Sequence, residues 1–305
     1  MGIAILLKVI YKDMGREKMK RFGDRRDAVK VRNVDGTHKV LVALSPQRCD
    51  ADVYISEKMD VTHLVQYVQE KKQTDPEFTY FHAFCAGLGK LFYERPLLNR
   101  FVLNRKFYDH REVTLGFVAK VSLEDDSKET LSLVTIEPDD NIDKVKERIL
   151  AQVKNVRSNV ENSTDDFVNL LAKMPQFLVN FVVWLLQVLD NYDLLPNAVL
   201  SDDIYHSSAI VSNLGSIKCG AIYHHLTQYG TSSMLITFGP VKKEAVVNDD
   251  GQIEIKDMLE IGVTCDERIA DGFYFAKSML VAKHIFNNPQ ILESPMKEKI
   301  NYENK

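Results

Sequence analysis

No two of the four cysteines, Cys49, Cys85, Cys219 and Cys265, form a CxxC pair or a metal-ligand spacing. Four scattered thiols in 305 residues fit a reducing compartment and exclude a disulfide framework as the source of stability. A basic excess is also lacking. Lys and Arg number 39 against 43 Asp and Glu, for a net charge of −4, which argues against a nucleic-acid binder. Long apolar runs are missing too. Gly2–Ile10 is broken by Lys8 and has no small-residue cleavage site, so it reads neither as a span nor as a signal peptide. Phe177–Leu189 is 13 residues long, short of the ~20 that cross a bilayer, and Asn180 and Gln187 interrupt it. It reads as a buried or interface helix. No membrane contact is expected, and the location expected is cytoplasmic.

What remains is an ordinary globular composition, 45% hydrophobic, large enough to bury a substantial core. Residues 1–24 read as a flexible basic arm, with Met14 or Met19 as alternative starts. Residues 25–290 read as one catalytic-type domain, and 291–305 as a polar tail, loose beyond Ser294. Within the domain, Asp60–Lys72 has a helical stripe of Val61, Leu64, Val65 and Val68, with His63 off that face. Glu77–Arg95 is a second helix with a broad apolar stripe. Gly87 and Gly89 cost it stability and imply close packing. His82 on that helix reads as a satisfied core or rim histidine. Val113–Val121 and Thr130–Ile136 alternate as strands around an acidic link at Glu124–Glu129.

Asp139 and Asp140 stand where a helix over Ile142–Val160 needs a cap. Asp165–Lys173 and Pro175–Tyr192 continue as helices. Ser233–Phe238 is a strand. Val241–Val247 and Gln252–Lys256 form a hairpin about the turn Asn248–Gly251. Cys219, His224 and His225 fall close together. The adjacent histidines face different ways and no third orienting residue is evident nearby, so turn or interface packing is the reading taken.

Two stretches carry the chemistry. In the first, Leu259, Ile261, Val263 and Cys265 alternate with polar residues up to Asp266, a strand. Asp266-Glu267-Arg268-Ile269-Ala270-Asp271-Gly272 follows. A helix then begins, with Phe275, Met279, Ala282 and Phe286 on one side. In the second, Ser208–Gly215, a β-branched run enters the turn Ser212-Asn213-Leu214-Gly215.

The first stretch resembles the Asp-His-Arg-x-x-Asp-Gly signature of the dihydrolipoamide acyltransferases of 2-oxo acid dehydrogenase complexes, shared more loosely by chloramphenicol acetyltransferases. The second resembles that family's Ile-Ser-Asn-Leu-Gly. Met59–Val65 resembles the opening of the family's domain, and Pro96–Asn99 an element that ends one of its helices. The resemblance runs from about Arg25 to Asn288. It implies an α/β fold, a mixed β-sheet sandwich covered by helices, assembled as a homotrimer or as trimers of higher order. Each active site then lies between subunits.

The resemblance also implies roles. Coenzyme A or an acyl-coenzyme A is the substrate, with no metal, and no lipoyl hairpin is present to carry a covalent lipoyl group. The family's general base is His, and here that position is Glu267. Ser212, with Asn213 beside it, is the matching oxyanion donor. Arg268, Asp271 and Gly272 complete the signature. An Arg–Asp pair of the family makes Arg25 or Arg26 the expected partner of Asp271. A thiol of pKa about 8.5 meets a carboxylate near 4.3 as a base about two units weaker than His, which is ~3 kcal/mol of lost driving force. Burial raises carboxyl pKa values by several units, which keeps Glu267 workable. Two functions follow: acyl transfer from a coenzyme A thioester to a small-molecule acceptor, or an inactive relative that binds acyl-coenzyme A, regulates or serves as a scaffold.

Overall fold

The computed structural model describes residues 23–120, 129–158, 173–196, 200 and 203–302. Most of the basic arm, the acidic link and the helix expected over 165–173 lie outside them. The elements in chain order are β1 (Ala28–Lys30), α1 (Gly36–Leu44), β2 (Asp52–Asp60), α2 (Thr62–Thr74), α3 (Tyr80–Glu94), β3 (Arg100–Leu103), β4 (Lys106–His110), β5 (Val113–Lys120) and β6 (Glu129–Ile136). Then come α4 (Ile142–Ser158), α5 (Gln176–Asn191), β7 (Ala209–Asn213), β8 (Met234–Phe238), β9 (Lys242–Val247), β10 (Ile253–Asp266) and α6 (Gly272–Asn287). The fold is the mixed α/β arrangement expected.

The main sheet runs β2-β10-β8-β7-β5-β6, with β9 also on β10; β1, β4 and β3 form a second sheet. The pairs β5–β7 and β7–β8 are parallel and the rest antiparallel. Strand β10 is the spine. Its first half is the far arm of the expected hairpin, and its second half carries the alternating residues before Asp266. Sequence punctuation separates those halves, but one 14-residue strand joins them.

Period-2 alternation sends Ile261, Val263, Cys265, Ile236 and Val211 to one face, where they are buried under helices. Helix α3 crosses that face and packs against α4, α6 and β5. Its two glycines explain the closeness. A Cβ at Gly87 would stand 2.4 Å from the Phe286 ring, and one at Gly89 2.7 Å from Ile136. His82 closes the N-terminus of α3, its Nδ1 accepting from the Thr79 amide at 3.1 Å, and burial pushes the imidazole down to about 4. His63 is exposed, as expected.

The tail departs from expectation. Met296 is fully buried, and the amides of Met296 and Lys297 donate to the carbonyls of Asp140 and Pro138 at 2.8 and 2.9 Å. Lys90, buried on α3, donates to the carbonyls of Pro295 and Glu298. A buried ammonium needs such acceptors, so a polar-looking tail docks as the cover of α3.

Candidate active site

Strand β10 ends in a carboxylate buried between two guanidinium groups. Asp266 is fully buried. Arg268, two residues on, turns back to it: Nε donates to Oδ1 and Nη2 to Oδ2, each at 2.7 Å. The remaining Nη1 donates to the carbonyls of Ser45 and Pro46, at the end of α1, at 3.1 Å. Arg48, equally buried, brings Nε within 3.9 Å of Asp266 Oδ2. Its Nη1 and Nη2 donate to the carbonyls of Thr227 and Gly230 at 2.8 Å. Burial pulls the Arg48 guanidinium down to about 10, with Asp266 opposing. Forked pairing of this kind fixes geometry as well as charge. Asp266 also accepts from the Arg268 amide at 3.1 Å, which winds residues 267–269 into a 3₁₀ turn.

Glu267 opens that turn. It is half-buried, and among the described residues it makes no hydrogen bond or ion pair. Asp271 does not pair with an arginine. It caps α6, its Oδ1 accepting from the Tyr274 amide at 2.7 Å. At Gly272 an added Cβ would meet nothing within 4 Å, so the position is open.

The expected partner of Asp271 is engaged elsewhere. Arg25, buried, donates from Nη2 to Asp190 Oδ1 at 2.8 Å and from Nε to Asp27 Oδ1 at 2.9 Å. Arg26 pairs with Asp193 and the Leu195 carbonyl. Helix α5 supplies Asp190 at its C-terminal end and Asp193 follows it, and these two carboxylates hold Arg25 and Arg26. Asp190 Oδ2 also stands 3.2 Å from His206 Nε2, while His206 Nδ1 is 2.9 Å from Asp203 Oδ2. Burial works to lower the His206 pKa, but the two carboxylates overcome it and raise it to about 9.

Ser212 and Glu267 are not brought together within one chain. Ser212 pairs with Thr237, and Thr237 with Gly262, so Ser212 is level with Gly262. From Gly262 to Asp266 is four steps along the strand, ~13 Å, and two strand spacings add ~9.6 Å sideways, which puts Ser212 about 16 Å from Asp266, the residue before Glu267. Asn213 turns inward on its own loop, its Oδ1 accepting from the Ser216 amide at 3.2 Å.

One group escapes the sequence reading. His225 has an orienting residue, Asp52, whose Oδ2 is 3.3 Å from Nδ1, and the Tyr54 hydroxyl is 3.1 Å from the same nitrogen. The two partners lie on β2, more than 170 positions upstream, and meet His225 through the loop before β8, where the Leu226 amide also donates to Asp52 Oδ2. Arg48 was likewise unmarked by any local pattern.

This architecture is that of the acyltransferase catalytic cores. A probable dihydrolipoamide acetyltransferase from Listeria monocytogenes superposes with a TM-score of 0.55 at 15% identity, covering 86% of this chain and 95% of that one. A dihydrolipoamide acetyltransferase of Azotobacter vinelandii gives 0.55 at 13% identity, covering 86% and 94%. The cubic core of a pyruvate dehydrogenase multienzyme complex gives 0.52 at 13% identity, with the same coverage. By sequence, residues 196–293 match the family of 2-oxoacid dehydrogenases acyltransferase (catalytic domain). No curated protein sequence matches the chain. Among the described residues no helix is long and apolar enough to cross a membrane.

Proposed function

We propose that the chain is a coenzyme A-dependent acyltransferase whose sites form between copies of itself. The observation that carries this reading is the matched segment 196–293. It holds both landmarks, Ser212 and Glu267, on a fold shared with acyltransferase cores. In this reading Glu267 takes a proton from the acceptor as the acceptor attacks the thioester carbonyl. Ser212 of a neighbouring copy donates to the oxyanion, a contact typically worth ~2.7–4 kcal/mol. The Asp266–Arg268 pair and the Asp271 cap hold the turn. The separation of Ser212 from Glu267 supports a shared site, and the cubic core among the relatives is an assembly of that kind. A homotrimer, or trimers of higher order, is the assembly proposed. Free thiols throughout support a cytoplasmic location.

A second reading has its own observation. The Glu267 carboxylate has no hydrogen bond or ion pair among the described residues, which suits a site that binds acyl-coenzyme A without turning it over. Incubation with acetyl-coenzyme A and an acceptor panel separates the two. Acceptor-dependent loss of the thioester that disappears in Glu267→Gln supports transfer. Silence in the wild type, with activity in Glu267→His, supports the binding protein.

A further inference from the structure

Beside the turn that presents Glu267 lies a corner that the mechanism above leaves idle. Asp52 sits directly across from Asp266 in the β2–β10 register, and its side chain is 3% exposed. Its Oδ2 accepts from the Leu226 amide at 3.3 Å and faces His225 Nδ1 at the same distance. Asp52 Oδ1 and the hydroxyl of Thr264, which pairs with Tyr54, are buried without a protein partner. Burial raises the Asp52 carboxyl above its usual range, against the Leu226 amide and His225, which pull it down.

Asp52 Oδ2 and the Tyr54 hydroxyl both meet the ring at Nδ1, which leaves Nε2 without a hydrogen-bond partner among the described residues. The ring is 82% exposed, so Nε2 is open to a ligand. Tyr54 and Tyr223 stand edge to face at 5.4 Å, both exposed, with the His225 ring 6.3 Å from Tyr54. The nearest guanidinium groups, Arg48 and Arg268, are buried in the Asp266 clamp. Aromatic faces, a carboxylate and an imidazole with an open Nε2, with the positive charge locked away, are the elements that hold an ammonium group.

We propose that this corner is the acceptor subsite and that the acceptor is a primary amine, held by Tyr54 and Tyr223 and deprotonated by His225 Nε2, with Asp52 positioning the ring. The inference rests on the acyl-transfer reading and gives it a substrate class. A thiol acceptor loses one proton, for which one base suffices. A primary ammonium loses two before an amide stands. His225 takes the first and frees the nitrogen lone pair. The nitrogen bonds to the thioester carbonyl carbon, Glu267 takes the second proton from it, and the carbon–sulfur bond breaks. The departing thiolate takes the proton from His225. The sum is acyl-coenzyme A plus ammonium giving amide, coenzyme A thiol and one proton released to water.

The test uses the full chain, acetyl-coenzyme A and three acceptors of one shape: 2-phenylethylamine, 2-phenylethanethiol and 2-phenylethanol, with acetylated product followed by mass spectrometry. The amine is expected to be preferred by at least ~10-fold. His225→Gln should cost ~10²–10⁴-fold at an unchanged melting temperature, since the ring is exposed. Asp52→Asn should lower kcat more than it raises KM, and should move the ring proton from Nδ1 to Nε2 in nitrogen-15 spectra. Preference for the thiol or alcohol, or full amine activity in His225→Gln, overturns the proposal while transfer stands. No product from any acceptor removes the transfer reading. The amine subsite then survives if 2-phenylethylamine shifts the His225 ring signals, and is overturned if it does not.

Discussion

Arg268 holds Asp266 through two parallel nitrogen–oxygen contacts of 2.7 Å, with both side chains almost wholly out of water. Such a pair is not evidence of large net stabilisation, because both charges were desolvated to make it. Removing one member is costly, because it strands the other. Asp266→Ala would strand two guanidinium groups, Arg268 and Arg48. It should cost about 3–5 kcal/mol in denaturant unfolding. Glu267→Gln, one residue along and half-buried, should stay within about 0.5 kcal/mol. A loss under 1 kcal/mol in Asp266→Ala would mean that the carboxylate is not what compensates the two arginines.

Gly87 owes its presence to Phe286. The Phe286 ring is buried and stacks on Phe84 at 5.2 Å, so it has nowhere to retreat from an added methyl. Gly87→Ala gains helix propensity of about 1 kcal/mol but overpacks a site where such changes cost about 1–3. A net loss in thermal unfolding is expected, partly recovered when Phe286→Leu is added. Stabilisation by Gly87→Ala alone would show that α3 and α6 can separate freely.

Helices α2 to α6, strands β5 to β10 and the order of the two chemical stretches were legible because each rests on local periodicity, while α1 and β1 to β4 were not read. Helix α3 needed only its apolar stripe and Pro96. What the sequence could not show is long-range. Asp190 holds Arg25 from 165 positions away, and Asp52 meets His225 from 173 away. The tail misled because a few apolar anchors, Leu292 and Met296 buried and Ile300 and Tyr302 packed on the core, outweigh a polar composition once Lys90 offers its carbonyls a donor. Met296→Ala should therefore cost about 2–5 kcal/mol, the range for a buried methionine, where a loose tail would feel nothing.

Stability should peak near pH 6.5, because three histidines pull in opposite directions. His206 is raised to about 9 by Asp190 and Asp203, against the pull of burial. Its contribution is complete below about 6.5, the unfolded value, and is lost as pH rises through 9. His82 and His110 are pushed down to about 4, chiefly by burial. Below about 6.5 the unfolded chain binds protons that these two refuse, so their contribution is lost as pH falls toward 4. Unfolding midpoints from pH 4 to 9 should trace a dome. His206→Gln should flatten its alkaline side and leave the acid side unchanged. A variant that loses the acid side instead would mean that the two groups of histidines have been assigned the wrong signs.

The separation of Ser212 from Glu267 makes the shared site testable by mixing. Ser212→Ala and Glu267→Gln chains would each be inactive alone, because every site lacks one group. If a site takes Glu267 from one copy and Ser212 from the next, chains unfolded together and reassembled in equal amounts make intact sites again. Each site draws its two groups independently, so about a quarter of the sites receive both wild-type residues in a closed symmetric ring. Recovery of about a quarter of the wild-type rate is the expected outcome, falling as the product of the two fractions when either chain is put in deficit. No recovery, with reassembly verified by sedimentation, would mean that the two residues do not serve one site. The sheet between them would then have a used end and an idle one.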